Sequence, residues 1–331
     1  MRRIRPIHDP LRFGFAVGRV RVLETRLLKR STYERLLDAS SFAEQRRILS
    51  ETVYGSYLET AQTAEDVERV LDRAQLDVYR EFLETANLPE PIVAYFRTQH
   101  DFENIRGILK AEALGIDATE LLNDLGSVEA ERFLAGSLPA PVDRIVRSIR
   151  TDVTAEEGTL RADAIDPMVD ARMFAELLEI AAESGYEHLV DLARVGVDIA
   201  NVRVFVRTRL RSAPVAEAQR FFIAGGTLPP ERFVEWYRLP LADAAARLGQ
   251  LPVLRNLDSE ALADPGRFDV VADSAAARVL AGAAMVPVGP EPVVAYVMAR
   301  RAEITMLRTL LIGRLAGVAT DVLRGRLRGV A

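Results

Sequence analysis

Eight residues of this chain, Pro89-Glu90-Pro91-Ile92-Val93-Ala94-Tyr95-Phe96, return as Pro290-Glu291-Pro292-Val293-Val294-Ala295-Tyr296-Val297, identical at six positions and apolar for apolar at the other two. A related hexamer follows each copy, Asp101-Phe102-Glu103-Asn104-Ile105-Arg106 after the first and Glu303-Ile304-Thr305-Met306-Leu307-Arg308 after the second. A third, Asp198-Ile199-Ala200-Asn201-Val202-Arg203, stands between them. Ordered recurrence predicts three units of roughly 100 residues, longer than the ~33–47-residue repeats of the common helical solenoids. Each unit is therefore expected to be a small bundle rather than one helical hairpin. Gly-Ser/Thr-Leu-Pro corners at Gly136 and Gly226 support boundaries near residues 117 and 214, giving repeats 1–117, 118–214 and 215–331.

Apolar residues recur at three- and four-residue intervals, as in Val17, Val20, Leu23, Leu27 and in Val67, Val70, Leu71, Ala74, Val78, which is helical periodicity. Strand-like alternation appears at Val202, Val204 and Val206, and there Phe205 breaks it. The fold class expected is all-α. Pro and Gly punctuate the pattern at Pro89-Glu90-Pro91, Gly225-Gly226, Pro265-Gly266 and Gly289-Pro290, each a helix stop or first-turn start. No Gly/Ser-rich linker intervenes, so the units are expected to pack directly on one another.

With the repeated arginine as reference, apolar residues fall four and one before it and two and three after it. They are Phe102, Ile105, Ile108, Leu109; Ile199, Val202, Phe205, Val206; and Ile304, Leu307, Leu310, Leu311. That spacing lines one helix face. Asp101, Asp198 and Glu303 each stand five residues before Arg106, Arg203 and Arg308. Five residues separate two side chains by about 140° around a helix, so acid and base of one copy cannot pair within it. Two readings follow. The six are partly solvated positions beside the apolar stripe, or they are structural contacts between repeats, each arginine meeting an acid of a neighbouring unit. Asn104 and Asn201 share a register from which Met306 departs.

The chemistry that is missing narrows the function. A net charge of −5 and pI ≈ 5.5 give no electrostatic footprint for nucleic acid. Zero cysteines leave no disulfide framework, thiolate nucleophile or Cys-based zinc site. Of the basic residues only Lys29 and Lys110 are lysines and neither follows a glycine, so there is no phosphate loop; Gly-x-Gly-x-x-Gly and Gly-x-Ser-x-Gly are also absent. His8, His100 and His188 are scattered, without metal-ligand spacing. Carboxylates such as Glu156-Glu157, Asp163/Asp166 and Asp269/Asp273 read as helix caps or solvated faces. Tyr33, Tyr54, Tyr57 and Tyr79 read as helix packing with the hydroxyl at the rim. No catalytic, cofactor-binding or metal-ligating residue is assigned. The basic start Met1–Pro6 lacks the apolar run of a secretory signal, and Val279–Pro290, the longest uncharged apolar stretch, is far short of the ~20 residues of a spanning helix. The basic tail around Arg314 and Arg324–Gly329 reads as a complement to a helix C-terminus.

In order and total length these features resemble the C subunit of the archaeal and bacterial V-type and A-type ATP synthases, equivalent to the d subunit of the eukaryotic vacuolar proton pump. The resemblance spans essentially the whole chain. It rests on the opening helix Phe15–Glu24 with Leu27-Leu28, Tyr33, the segment Leu49–Tyr54 with Gly55, and the three hexamers. It implies a funnel of three similar helical-bundle repeats around a pseudo-three-fold axis. Such a part is a non-catalytic rotor subunit on the cytoplasmic face of the membrane proteolipid ring. It holds the central-shaft subunits and couples them to the ring for ATP-linked proton or sodium transport, touching the membrane only through its partners. A soluble helical-repeat adaptor that binds proteins unrelated to an ATPase is the alternative reading of the residues.

Overall fold

The computed structural model describes residues 10–84, 88–155, 157–251, 254–255 and 257–327. Met1–Pro6, His8, Glu156, Arg328 and Gly329, singled out in the sequence, lie outside the described residues. Among those described, regular structure is helical throughout, with one isolated antiparallel bridge between Thr154 and Leu160. The chain forms two compact units, one from the segment ending at Leu88 together with Gly266 onward, the other from Pro89–Pro265.

The first unit begins with α1 (Gly14–Glu24), α2 (Arg30–Asp38), α3 (Phe42–Leu49), α4 (Gly55–Leu58) and α5 (Ala64–Tyr79). The second holds α6 (Glu90–Leu114), α7 (Ala130–Leu134), α8 (Ala140–Val153), α9 (Ala162–Ser184), α10 (Glu187–Leu210), α11 (Val215–Gln219), α12 (Pro230–Tyr237), α13 (Leu241–Leu248) and α14 (Ser259–Ala263). The first is completed by α15 (Pro265–Leu280), α16 (Pro290–Leu315) and α17 (Thr320–Leu327).

Local chemistry starts and stops these helices. The duplicated Pro-Glu-Pro opens α6 and α16, where proline lacks only an N–H that the first turn leaves unpaired anyway. Thr63 and Asp66 form a reciprocal capping box at the start of α5, 3.1 Å from Asp66 N to Thr63 Oγ1 and 3.0 Å from Thr63 N to Asp66 Oδ2, satisfying two otherwise orphaned donors. α6 ends at Gly115 in the left-handed region, φ 64°, which a side chain would resist.

The predicted stripes carry the cores. Ile304, Leu307, Leu310 and Leu311 on α16 pack with Tyr33, Leu36, Leu49, Leu71 and Leu323 in the first unit. Phe102, Ile105 and Leu109 on α6 pack with Phe133, Ile149 and Ile165 in the second. Ile108 and Ile199 are only half-buried. The strand-like alternation at Val202–Val206 lies inside α10. Val202, Phe205 and Val206 are buried there while Val204 is half-buried, so helical spacing decides the segment and its β-branched residues follow tertiary packing.

Candidate functional site

Asp101 on α6, Asp198 on α10 and Glu303 on α16 are all buried, at 6%, 0% and 4% exposure, and each grips the backbone of a loop that leads into a short helix. Asp101 accepts from Ser127 N at 2.9 Å, Ser127 Oγ at 2.5 Å and Val128 N at 3.1 Å. Asp198 accepts from Thr227 N at 3.0 Å, from Thr227 Oγ1 and from Leu228 N at 3.3 Å. Glu303 accepts from Leu28 N, and from the Tyr54 hydroxyl at 2.7 Å. The gripped positions are thus 28, 128 and 228. Two residues on, α2, α7 and α12 begin, and the aromatics at 33, 133 and 233 (Tyr33, Phe133, Phe233) are buried in each case. One arrangement occurs three times: a carboxylate inside a long helix holds the start of a short one.

Two glycines show how closely acid and loop approach. A Cβ built on Gly126 or Gly226 would collide with Oδ1 of Asp101 or Asp198. The third loop carries Arg26 at the matching position, and there the acid is a glutamate, reaching Leu28 with one more methylene. The Gly-Ser/Thr-Leu-Pro likeness of Gly136 to Gly226 misleads as a guide to equivalence. The structural counterpart of Gly226-Thr227-Leu228 is Gly126-Ser127-Val128, whereas Gly136 ends a helix at φ 63°.

Asn104 and Asn201 complete two of the three joints. The amide of Asn104 gives to Asn123 O at 2.8 Å and takes from Asn123 N at 2.9 Å; Asn201 does the same with Ile223, at 2.8 and 2.7 Å. A primary amide matches both backbone groups at once. Met306, at the same register of α16, has no such groups and lies in the apolar core instead. Burial raises the carboxyls of Asp101 and Asp198 above the ordinary value, against the hydrogen bonds from Ser127 and Val128, or from Thr227 and Leu228, which pull them down.

The repeated arginines turn elsewhere. Arg106 pairs with Asp166 at 3.2 Å and with Asp170, both on α9. Arg308 pairs with Glu68 at 2.5 Å and Asp72 at 2.7 Å, both on α5. Each guanidinium therefore spans two acids four residues apart on a neighbouring helix, a fork that suits arginine better than lysine. Lys110 and Arg207 also approach Asp166, at 2.7 and 3.7 Å. Burial raises the Asp170 carboxyl, while Arg106 and then Arg203 on α10 pull it down. Sequence reasoning missed Glu68/Asp72 and Asp166/Asp170 as partners, although their i, i+4 spacing was a usable signal.

Other singled-out residues serve the interior. Arg300 pairs with Glu303 and stands 4.8 Å over the Tyr54 ring. The hydroxyl of Tyr54 is not at a rim: the residue is fully buried and bonds Glu303, and burial followed by the charge of Glu303 raises Tyr33 and Tyr54 well above the usual phenol value. Tyr57, bonded to Asp77 at 2.7 Å, is raised to about 12 by burial and then by that bond. His100 is buried and meets Glu103 at 2.6 Å, and His188 lies beside the Tyr186 ring. In the C-terminal stretch Arg314 gives to Leu37 O at 2.7 Å and Arg324 to Asp38 at 2.8 Å. Among the described residues no group of three or more His, Asp or Glu is placed to hold a metal ion, and no helix is long and apolar enough to cross a membrane.

Comparison with known proteins gives one family. The ATP synthase (C/AC39) subunit family matches residues 16–326. The C subunit of the V-type sodium ATPase of Enterococcus hirae is 22% identical over 94% of this chain and 96% of its own length. The C subunit of the V-type ATP synthase of Thermus thermophilus is 30% identical over 68% of this chain and 70% of its own. The C subunit of the A-type ATP synthase of Methanocaldococcus jannaschii is 20% identical over 95% of this chain and 86% of its own.

Proposed function

This chain belongs to the ATP synthase (C/AC39) subunit family, a non-catalytic subunit of the complex, and we propose that it is the rotor part joining the central shaft to the membrane proteolipid ring. In this reading it lies on the cytoplasmic side, reaches the membrane only through partner subunits, and passes torque between shaft and ring during ATP-linked proton or sodium transport. Its three repeats, 1–117, 118–214 and 215–331, would surround a pseudo-three-fold axis as a funnel. Asp101, Arg106, Asp198, Arg203, Glu303 and Arg308 would serve as structural contacts between them.

The observation that carries this reading is the joint at residues 28, 128 and 228, in which buried Glu303, Asp101 and Asp198 each fasten a short helix to a long one. A torque-bearing part must twist little under load. Charge-assisted hydrogen bonds from main-chain N–H groups to a buried carboxylate are short and directional, and close-packed interiors deform little. The sequence likewise offers no phosphate loop and no flexible linker.

The test is to tag the chain, isolate it from gently detergent-solubilised membranes of its source, and identify its companions by mass spectrometry. Recovery of proteolipid and central-shaft subunits in constant ratio is expected. A clean soluble monomer, from a source that does assemble such a complex, would refute the reading.

A further inference from the structure

We propose that the exposed face of α1 is the docking site for an amphipathic helix of another polypeptide, one whose apolar seam is flanked by carboxylates. The proposal concerns which surface is used and what chemistry it meets, and does not depend on the shaft-and-ring reading.

α1 buries Ala16, Val17 and Val20 against its own unit. On its other side Phe15 and Val22 stand 67% and 56% exposed, and Leu11, in the 3-10 turn that leads into the helix, 78%. Phe15, Gly18 and Val22 fall at intervals of three and four, the spacing of a seam that receives another helix. Contiguous exposed apolar surface of this kind is uncommon unless something covers it.

The face also carries a shallow, open depression. A groove of ≈ 460 Å³ runs along it, lined by Gly14, Gly18, Val22 and Leu23, with Glu81 as its wall. Glu81 is held there by Arg19 at 2.5 Å, from a π-helical turn over Arg80–Glu84. Nothing lies within 4 Å of a Cβ built on Gly14 or Gly18, so a partner's side chains can approach the backbone at two points one turn apart.

Charge selects the kind of helix. Arg19 pairs with Glu81 and Arg21 with Glu24 at 3.0 Å, which among the described residues leaves Arg12 and Arg26 as excess positive charge at the two ends of the face. A second copy would set these arginines against their own kind. The preceding residues of this chain carry Arg2, Arg3 and Arg5 against Asp9 alone, which also fits poorly. Asp or Glu beside an apolar seam supplies the complement.

The experiment places photoreactive benzoylphenylalanine at Phe15, and separately at Val22, in the full chain within its source cell, and sequences the cross-linked peptides. Both positions are expected to capture one segment of another polypeptide with apolar residues at three- and four-residue spacing and carboxylates beside them. Gly18→Leu is expected to abolish both cross-links without lowering the thermal midpoint of the purified chain. In vitro, a synthetic helix with a leucine seam flanked by Glu should bind about tenfold tighter than its Lys-flanked twin, with the gap closing as salt rises. Cross-links to lipid, to residues 1–9, to a second copy or to a segment without carboxylates would overturn the proposal, as would no cross-link or equal binding of the two peptides. Recovery of companion subunits on the tagged chain is read separately, so either conclusion can fail alone.

Discussion

Gly226→Ala isolates the close approach at the second joint. Gly226 is not among the glycines at positive φ, so on backbone grounds alanine would stabilise by about 0.4–1 kcal/mol through the unfolded state. Packing opposes this. The new Cβ collides with Asp198 Oδ1 and comes within 3.1 Å of Val197 Cγ1. Relief requires either a loop shift, at about 1–3 kcal/mol for overpacking, or withdrawal of the carboxylate from Thr227 and Leu228, whose bonds to a charged acceptor are each worth about 1.5–3 kcal/mol. The net expectation is a loss of about 2 kcal/mol. Asp198→Ala removes the same bonds outright and should cost about 3 kcal/mol. The double variant should cost no more than Asp198→Ala alone, because the atom that alanine strikes has gone; the coupling is then about 2 kcal/mol. Urea unfolding followed by fluorescence suits the assay. Trp236, the sole tryptophan, sits buried on α12, the helix that starts at this joint. Additive losses in the double variant would refute the idea that glycine is needed here because the carboxylate occupies its Cβ space.

The two best-formed arginine forks should differ in cost. Arg106→Ala leaves Asp170, at 21% exposure, with only the weaker pull of Arg203 and Arg207 and is expected to lose about 2 kcal/mol; Arg308→Ala faces acids 45% and 54% exposed and should lose under about 1 kcal/mol, as urea midpoints of the two variants would reveal. Glu303→Ala leaves Arg300 buried without its carboxylate and frees Leu28 N and the Tyr54 hydroxyl, so a loss of about 3–5 kcal/mol is expected in thermal or urea unfolding. Asp198 has a folded-state pKa raised by burial. Its stabilising contribution is therefore complete below the unfolded value of about 3.9 and is lost as pH rises through the folded value. The wild type should accordingly lose stability relative to Asp198→Asn as pH rises above the ordinary aspartate value; a relative gain with rising pH would contradict the burial argument.

Much of the fold was legible because periodicity and burial obey the same geometry. The stripe at Ile304, Leu307, Leu310 and Leu311 is the core face of α16, and Pro-Glu-Pro opens two long helices where the sequence places it. The segment Val202–Val206 was ambiguous because a few β-branched residues satisfy both periods until packing partners choose. The recurrence of Asp101, Asp198 and Glu303 was visible, but not what they hold. The donors are main-chain N–H groups of Ser127, Val128, Thr227, Leu228 and Leu28, and main-chain groups leave no mark in a sequence. Gly126 and Gly226 were the available trace, obscured by the likeness of Gly136-Ser137-Leu138-Pro139 to the second loop.

The third joint differs from the others for a reason that lies in chain connectivity. Asp101 and Asp198 grip loops that follow them closely, Ser127 standing 26 positions after Asp101 and Thr227 29 after Asp198. Glu303 grips a loop that precedes it by 275 residues. Closing the longer loop as a single contact costs about 2 kcal/mol more in chain entropy than closing the shorter ones. The differences at this joint supply compensation of that order. Arg300 adds a charged partner, Tyr54 adds a hydroxyl bonded at 2.7 Å, and Met306 exchanges the asparagine clamp for apolar burial in a core drawn from both ends of the chain. The departure at Met306, which looked like a failure of the repeat, is what a joint closed by distant segments requires. Its strength has to come from side chains and shared core, where the other two draw on nearby backbone.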